Sequence, residues 1–125
     1  MALTLLGIDT TGDELEVGLE INGSINTKVF SGRPHAQHLL DFVQELLGQK
    51  KPTAIVVSIG PGSYTGTRIG VTAANILAWA WHIPVYGVTK ARGRTMKTMI
   101  KEGRRRLEKG EQGRQAKPLY RTVAR

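Results

Sequence analysis

The chain has 125 residues, 40% of them apolar, with no cysteine and with 18 Lys+Arg against 10 Asp+Glu. That length suits one domain with a buried core, and the missing cysteines exclude disulfides, thiolate metal ligands and a cysteine nucleophile. The net charge of +8 is unevenly distributed. Residues 1–89 hold five cations (Lys28, Arg33, Lys50, Lys51, Arg68) and seven acids, a net of −2. Residues 90–125 hold thirteen cations and three acids (Glu102, Glu108, Glu111), a net of +10. A slightly acidic body is thus followed by a strongly basic stretch, and any polyanion partner is expected at the latter. No charged-then-apolar leader opens the sequence, and the apolar stretch from Ile69 is interrupted by Asn75, His82 and Pro84. A cytoplasmic protein without a membrane span is therefore expected.

In chain order, Leu3 to Asp9 is an apolar run that predicts a buried central strand. From Glu14 the pattern alternates strictly, with Leu15, Val17, Leu19 and Ile21 on one face and Glu14, Glu16 and Glu20 on the other. Asn22-Gly23 is the dipeptide best suited to the positive φ angles of a two-residue turn, and Ile25, Thr27 and Val29 continue the alternation. Residues 14–30 therefore read as one antiparallel hairpin. Leu39, Phe42, Val43, Leu46 and Leu47 recur at helical spacing, and Gly48 stops that helix. Ala54 to Ile59 predicts a second buried strand, a glycine-rich loop spans 60–66, and an apolar helix runs from about Thr67 to Trp81. Pro84 to Val88 supplies a fifth strand. The order β-β-β-α-β-α-β predicts an α/β fold: a mixed five-stranded sheet with helices packed on it. Beyond Val88, four glycines interrupt a thin stripe of Met96, Met99, Ile100 and Leu107. The division expected is a lobe over 1–89 and a basic tail over 90–125, the tail being a short helix or disordered.

The glycine-rich junction at Gly60, Gly62, Ser63 and Gly66 places a loop between a strand and a helix, an arrangement that suits an anion. Its spacing is one residue longer than the dinucleotide fingerprint, and no Gly-Lys-Ser/Thr follows. A degenerate phosphate loop with Asp9, Thr10 and Thr11 and a tight structural turn are both open. Asp9 sits where a strand ends, flanked by two hydroxyls, able to orient a metal or phosphate or simply to bond its own turn. It lacks evident acidic companions, since the glutamates of the hairpin line its outer face. Gly66, Gly70, Ala74 and Ala78, spaced at i+4, form a ridge of minimal side chains that admits another helix, either the helix at 35–47 or a partner's. His35 and His38, three apart, can share a face for a metal or point to solvent or a partner.

Gly7-Ile8-Asp9-Thr10-Thr11, the hairpin, the stretch from Arg33 to Leu40 and above all Gly60 to Gly70 resemble the N-terminal domain of the TsaB (YeaZ) family, over about residues 3–89. Lys117 to Arg121 is faintly similar to that family's C-terminal end. The resemblance implies a single lobe of the actin-like ATPase, ribonuclease-H-like fold. It implies a non-catalytic partner in the bacterial synthesis of threonylcarbamoyladenosine on tRNA, with no cofactor of its own. It further implies that the two helices bundle with the catalytic TsaD subunit or with a second copy of the chain. The residues expected at that interface are His35, His38, Leu39, Phe42, Val43, Leu46, Gly66, Arg68, Ile69, Gly70, Ala73, Ala74, Leu77 and Ala78. A TsaE-type ATPase joins the family's complex. The family usually has a second lobe of similar fold, where this sequence has the basic stretch; half a cleft makes nucleotide hydrolysis less expected. Two other readings stay open. One is a nucleotide-dependent phosphotransferase or nuclease using Asp9 and the glycine loop. The other is an RNA-binding adaptor acting through the basic stretch, with Lys97, Lys101, Arg104, Arg105 and Arg106 as contact candidates and tRNA as the partner.

Overall fold

A computed structural model describes residues 3–32, 36–91 and 93–119. Strands β1 (Thr4–Asp9), β2 (Glu14–Ile21) and β3 (Ser24–Ser31) come first, then α1 (Ala36–Leu47), β4 (Ala54–Ser58), α2 (Tyr64–Trp81), β5 (Val85–Val88) and α3 (Met96–Glu108). The five strands form one sheet in the order β3-β2-β1-β4-β5. β1, β2 and β3 pair antiparallel, while β4 and β5 add in parallel, so the sheet is mixed as expected. Asn22 (φ 52°) and Gly23 (φ 83°) make the turn between β2 and β3, the conformation that their sequence favours. This is the α/β fold of an actin-like lobe.

The alternation of each strand sorts its side chains between two layers. Leu6, Ile8, Leu15, Val17, Leu19, Ile55 and Val57 face α1 and α2, whose Leu39, Val43, Leu47, Val71, Ala74 and Ala78 complete the main core. On the other face Leu5, Ala54, Val56, Tyr86 and Val88 meet Met96, Met99 and Ile100 of α3. The sheet is thus buried on both sides, which explains the continuous apolar runs of β1 and β4.

Two boundaries differ from the sequence reading. α2 starts at Tyr64, three residues early, because the Ser63 hydroxyl accepts the Gly66 amide at 3.1 Å and caps the helix inside the glycine-rich segment. The second difference lies in the basic stretch. It forms a thirteen-residue helix that packs along the sheet, capped by a reciprocal box between Thr95 and Thr98. Gly103, read as an interruption, is where α3 touches β4: a Cβ there would lie 2.1 Å from Val56 Cγ2. The chain then returns along β5. Val85 N–H donates to Gly113 O at 2.9 Å, Leu119 N–H donates to Ile59 O at 2.7 Å, and the Asn75 amide exchanges hydrogen bonds with both backbone groups of buried Ala116. Met96, Met99, Ile100 and Ala116 of the basic stretch are therefore buried with the rest of the lobe. The stretch beyond Leu119, Tyr120 included, lies outside the described residues.

Among the described residues no helix is long and apolar enough to cross a membrane. Because Gly103 holds α3 against β4, Gly103→Ala should destabilise the protein by about 1–2 kcal/mol in urea unfolding. This loss is expected although alanine favours a helix over glycine by about 1 kcal/mol.

Candidate functional site

The C-terminal end of β1 meets the glycine-rich segment, so the structure brings Asp9, Thr10, Thr11, Gly60, Gly62 and Ser63 together. Their contacts are internal. Ser63 N–H donates to Thr11 O at 3.0 Å, and the Thr10 hydroxyl donates to Gly66 O. A Cβ at Gly62 would lie 2.4 Å from Thr11 O, one at Gly66 2.3 Å from Thr10 O, and one at Gly70 2.3 Å from Thr10 Oγ1. The glycines thus admit the β1 turn itself, each standing where a side chain would overlap Thr10 or Thr11.

Asp9 is 7% exposed, and both its carboxylate oxygens are engaged. Oδ1 accepts the Thr11 amide at 3.0 Å and the Thr11 hydroxyl at 2.7 Å; Oδ2 accepts the Lys90 ammonium at 2.5 Å. A polar cleft of about 700 Å³ opens beside it, lined by Asp13, Glu14, Glu16 and Ser31. Here the sequence reading needs correction, because Asp9 does have an acidic companion. The short turn after β1 makes β1 and β2 a hairpin in which Asp9 stands opposite Glu16, on the α3 face of the sheet. Burial raises the Glu16 carboxyl above its ordinary 4.5, repulsion from Asp9 and Glu14 raises it further, and Lys90 opposes the shift. Among the described residues no group of three or more histidine and carboxylate side chains is arranged to hold a metal ion. His38 lies against the Phe30 ring, their centroids 4.1 Å apart, and His35 is outside the described residues.

The expected interface residues divide by burial. Gly66, Gly70, Ala74 and Ala78 are buried in α2, so the small-residue ridge faces the lobe's own interior, Gly66 and Gly70 against Thr10 and Ala74 and Ala78 in the core that α1 shares. Leu39 and Val43 belong to the core, and Phe42, Leu46, Ile69, Ala73 and Leu77 pack at its margin. Arg68 is exposed and extends over the Tyr64 ring, 5.5 Å from its centroid. The apolar residues that do reach solvent on this layer are Leu40 (43% exposed), Tyr64, Ile76 (59%) and Trp79 (79%). None of these is among the interface residues that the sequence predicts. The available signal was a surplus: both helices carry apolar residues outside the single i+4 stripe that the core uses. Of the four exposed residues only Leu40 borders a groove of about 440 Å³ between α1 and α2, whose walls also carry Leu77 and Trp81 and the polar Gln44, Gln49, Lys50 and Lys51.

A family model described as "TsaD: tRNA N6-adenosine threonylcarbamoyltransferase" matches residues 28–107. The chain belongs to this family. It is similar to the tRNA threonylcarbamoyladenosine biosynthesis protein TsaB of Bacillus subtilis (strain 168), at 33% identity over 109 residues, 82% of this chain and 45% of the relative. It is also similar to TsaB of Escherichia coli (strain K12), at 33% identity over 93 residues, 70% of this chain and 40% of the relative. A solved structure of YeaZ from Pseudomonas aeruginosa superposes with a TM-score of 0.64 at 34% identity, covering 69% of this chain and 44% of that one. The relatives place the chain with the TsaB/YeaZ proteins, and it spans less than half of their length.

Because the fold raises the Glu16 pKa, the protonated carboxyl is the form that the folded state favours. The stability it contributes is full below pH 4.5 and is lost as pH rises through the folded pKa. Glu16→Gln is therefore expected to raise the melting temperature at pH 7.5 and to leave it nearly unchanged at pH 4.

Proposed function

We propose that this chain is a non-catalytic binding subunit in the formation of threonylcarbamoyladenosine on tRNA, docking a TsaD-type catalytic subunit or a second copy of itself through the α1–α2 layer. The observation that carries this reading is the exposure of Leu40, Ile76 and Trp79 on the layer opposite the basic helix. Tryptophan in particular supports it, because it is enriched where interfaces concentrate their binding energy. The engaged Asp9 carboxylate argues in the same direction, since it is not left to hold a nucleotide. A TsaE-type ATPase would join through the assembled pair, and the work would be done in the cytoplasm.

The test is co-purification with a co-expressed TsaD-type subunit. Ile76→Asp and Trp79→Asp should each abolish association while leaving the melting temperature unchanged, because both side chains lie outside the core. Association undiminished in both variants would overturn the proposed interface. Substitutions on the buried stripe, such as Gly70→Leu, report on folding and cannot serve.

One observation favours a second reading, a nucleotide-dependent phosphotransferase or nuclease: Asp9 and Glu16 face one another in an open cleft. Carboxylates so placed could hold a divalent cation if Lys90 withdrew. Calorimetry should then show magnesium-dependent ATP binding that Asp9→Ala removes; the binding-subunit reading expects no such heat.

A further inference from the structure

The fold divides the cations of the basic stretch into two groups. Lys90, Arg104, Arg105 and Arg106 form ion pairs with Asp9, Glu20, Glu102 and Glu111. Arg106 also donates to Gly87 O at 2.7 Å and lies over the Tyr86 ring, tying α3 to β5. Three of the five residues expected to contact RNA are thus already engaged within the protein. Lys97 and Lys101 are different: both are exposed, and neither forms an ion pair among the described residues.

A groove of about 320 Å³ runs along the outer side of α3, with Arg94, Thr98, Lys101 and Arg105 in its walls. With a rise of 1.5 Å per residue, Lys97 and Lys101 stand about 6 Å apart along the helix, and Arg94 extends the row beyond its N-terminus. A row of cations matches charges repeated along a chain better than it matches one small ion.

We propose that the exposed face of α3 formed by this groove and by Lys97, one turn from Lys101 and outside the groove walls, binds the phosphate backbone of RNA. A membrane surface fits poorly, because a helix lying on lipid needs an apolar face to bury and none of the large exposed apolar side chains belongs to α3. Glu102 and Glu108 share the groove walls and repel any anion, so the phosphates would have to sit against Lys97 and Lys101. The choice of RNA over another polyanion rests on the tRNA-linked reading above; the groove itself does not.

The measurement is fluorescence anisotropy of labelled tRNA with the isolated chain, between about 50 and about 200 mM salt, so that it is independent of any TsaD-type partner. Saturable, salt-dependent binding is expected. Lys97→Ala combined with Lys101→Ala should weaken it about tenfold at the lowest salt and reduce the logarithmic salt slope by about 2, roughly one per lysine. Lys50→Ala combined with Lys51→Ala, on two exposed lysines beside the α1–α2 groove, should change neither quantity. The proposal is overturned if tRNA does not bind, or if the two double variants lose affinity equally. It is overturned too if phosphatidylserine vesicles or polyglutamate bind as tightly as tRNA. TsaD association undiminished in Ile76→Asp and Trp79→Asp, with tRNA binding behaving as expected, would sink the docking interface alone.

Discussion

The first turn of α2 lies directly on the backbone of Thr10 and Thr11, and the rest of the lobe is arranged around that approach. Gly62, Gly66 and Gly70 each stand where a single added carbon would overlap the β1 turn. Because no side chain intervenes, the Thr10 hydroxyl reaches a helix carbonyl and the Ser63 amide reaches Thr11 O. Thr10 and Thr11 are buried in consequence, and Asp9 is fixed at the rim between them and Lys90. The same inward use of the small stripe decides what α2 shows to solvent. With Gly70, Ala74 and Ala78 turned into the core, the larger Ile76 and Trp79 turn outward, so core packing also decides which apolar side chains α2 exposes.

Charge plays a parallel part on the opposite layer. Glu20 is buried on β2 beneath Arg104, and Asp9 is buried beneath Lys90, so two carboxylates of the acidic body are neutralised by cations of the basic stretch. A buried carboxylate without such a partner would be strongly unfavourable. The imbalance between −2 and +10 is thus partly an internal complementarity, one that holds α3 in place.

Much of this was legible from residue pattern. The strict alternation of β2 and the Asn22-Gly23 turn marked the hairpin, and the apolar runs of β1 and β4 marked strands covered on both faces. Three features were not legible, each for a physical reason. Which face the Gly66–Ala78 stripe occupies depends on what fills the space beside it, and Thr10 comes from more than fifty residues away. Asp9 and Glu16 become neighbours only through the register of β1 on β2. Gly103 reads as a helix breaker on propensity alone, yet its missing side chain is what lets α3 contact Val56.

The returning segment carries a consequence for how such a lobe can grow. Lys109 and Gly110 sit in an exposed turn after α3, with Gly110 at φ 77°, and the chain on either side is tied down separately. α3 is anchored by its methionines and Arg106, the segment after it by Asn75, Val85 and Ile59. The Arg106–Glu111 ion pair and the bond from Glu111 N–H to Arg106 O also span the turn. Extra polypeptide inserted there would break these links first and leave both layers of the core in place.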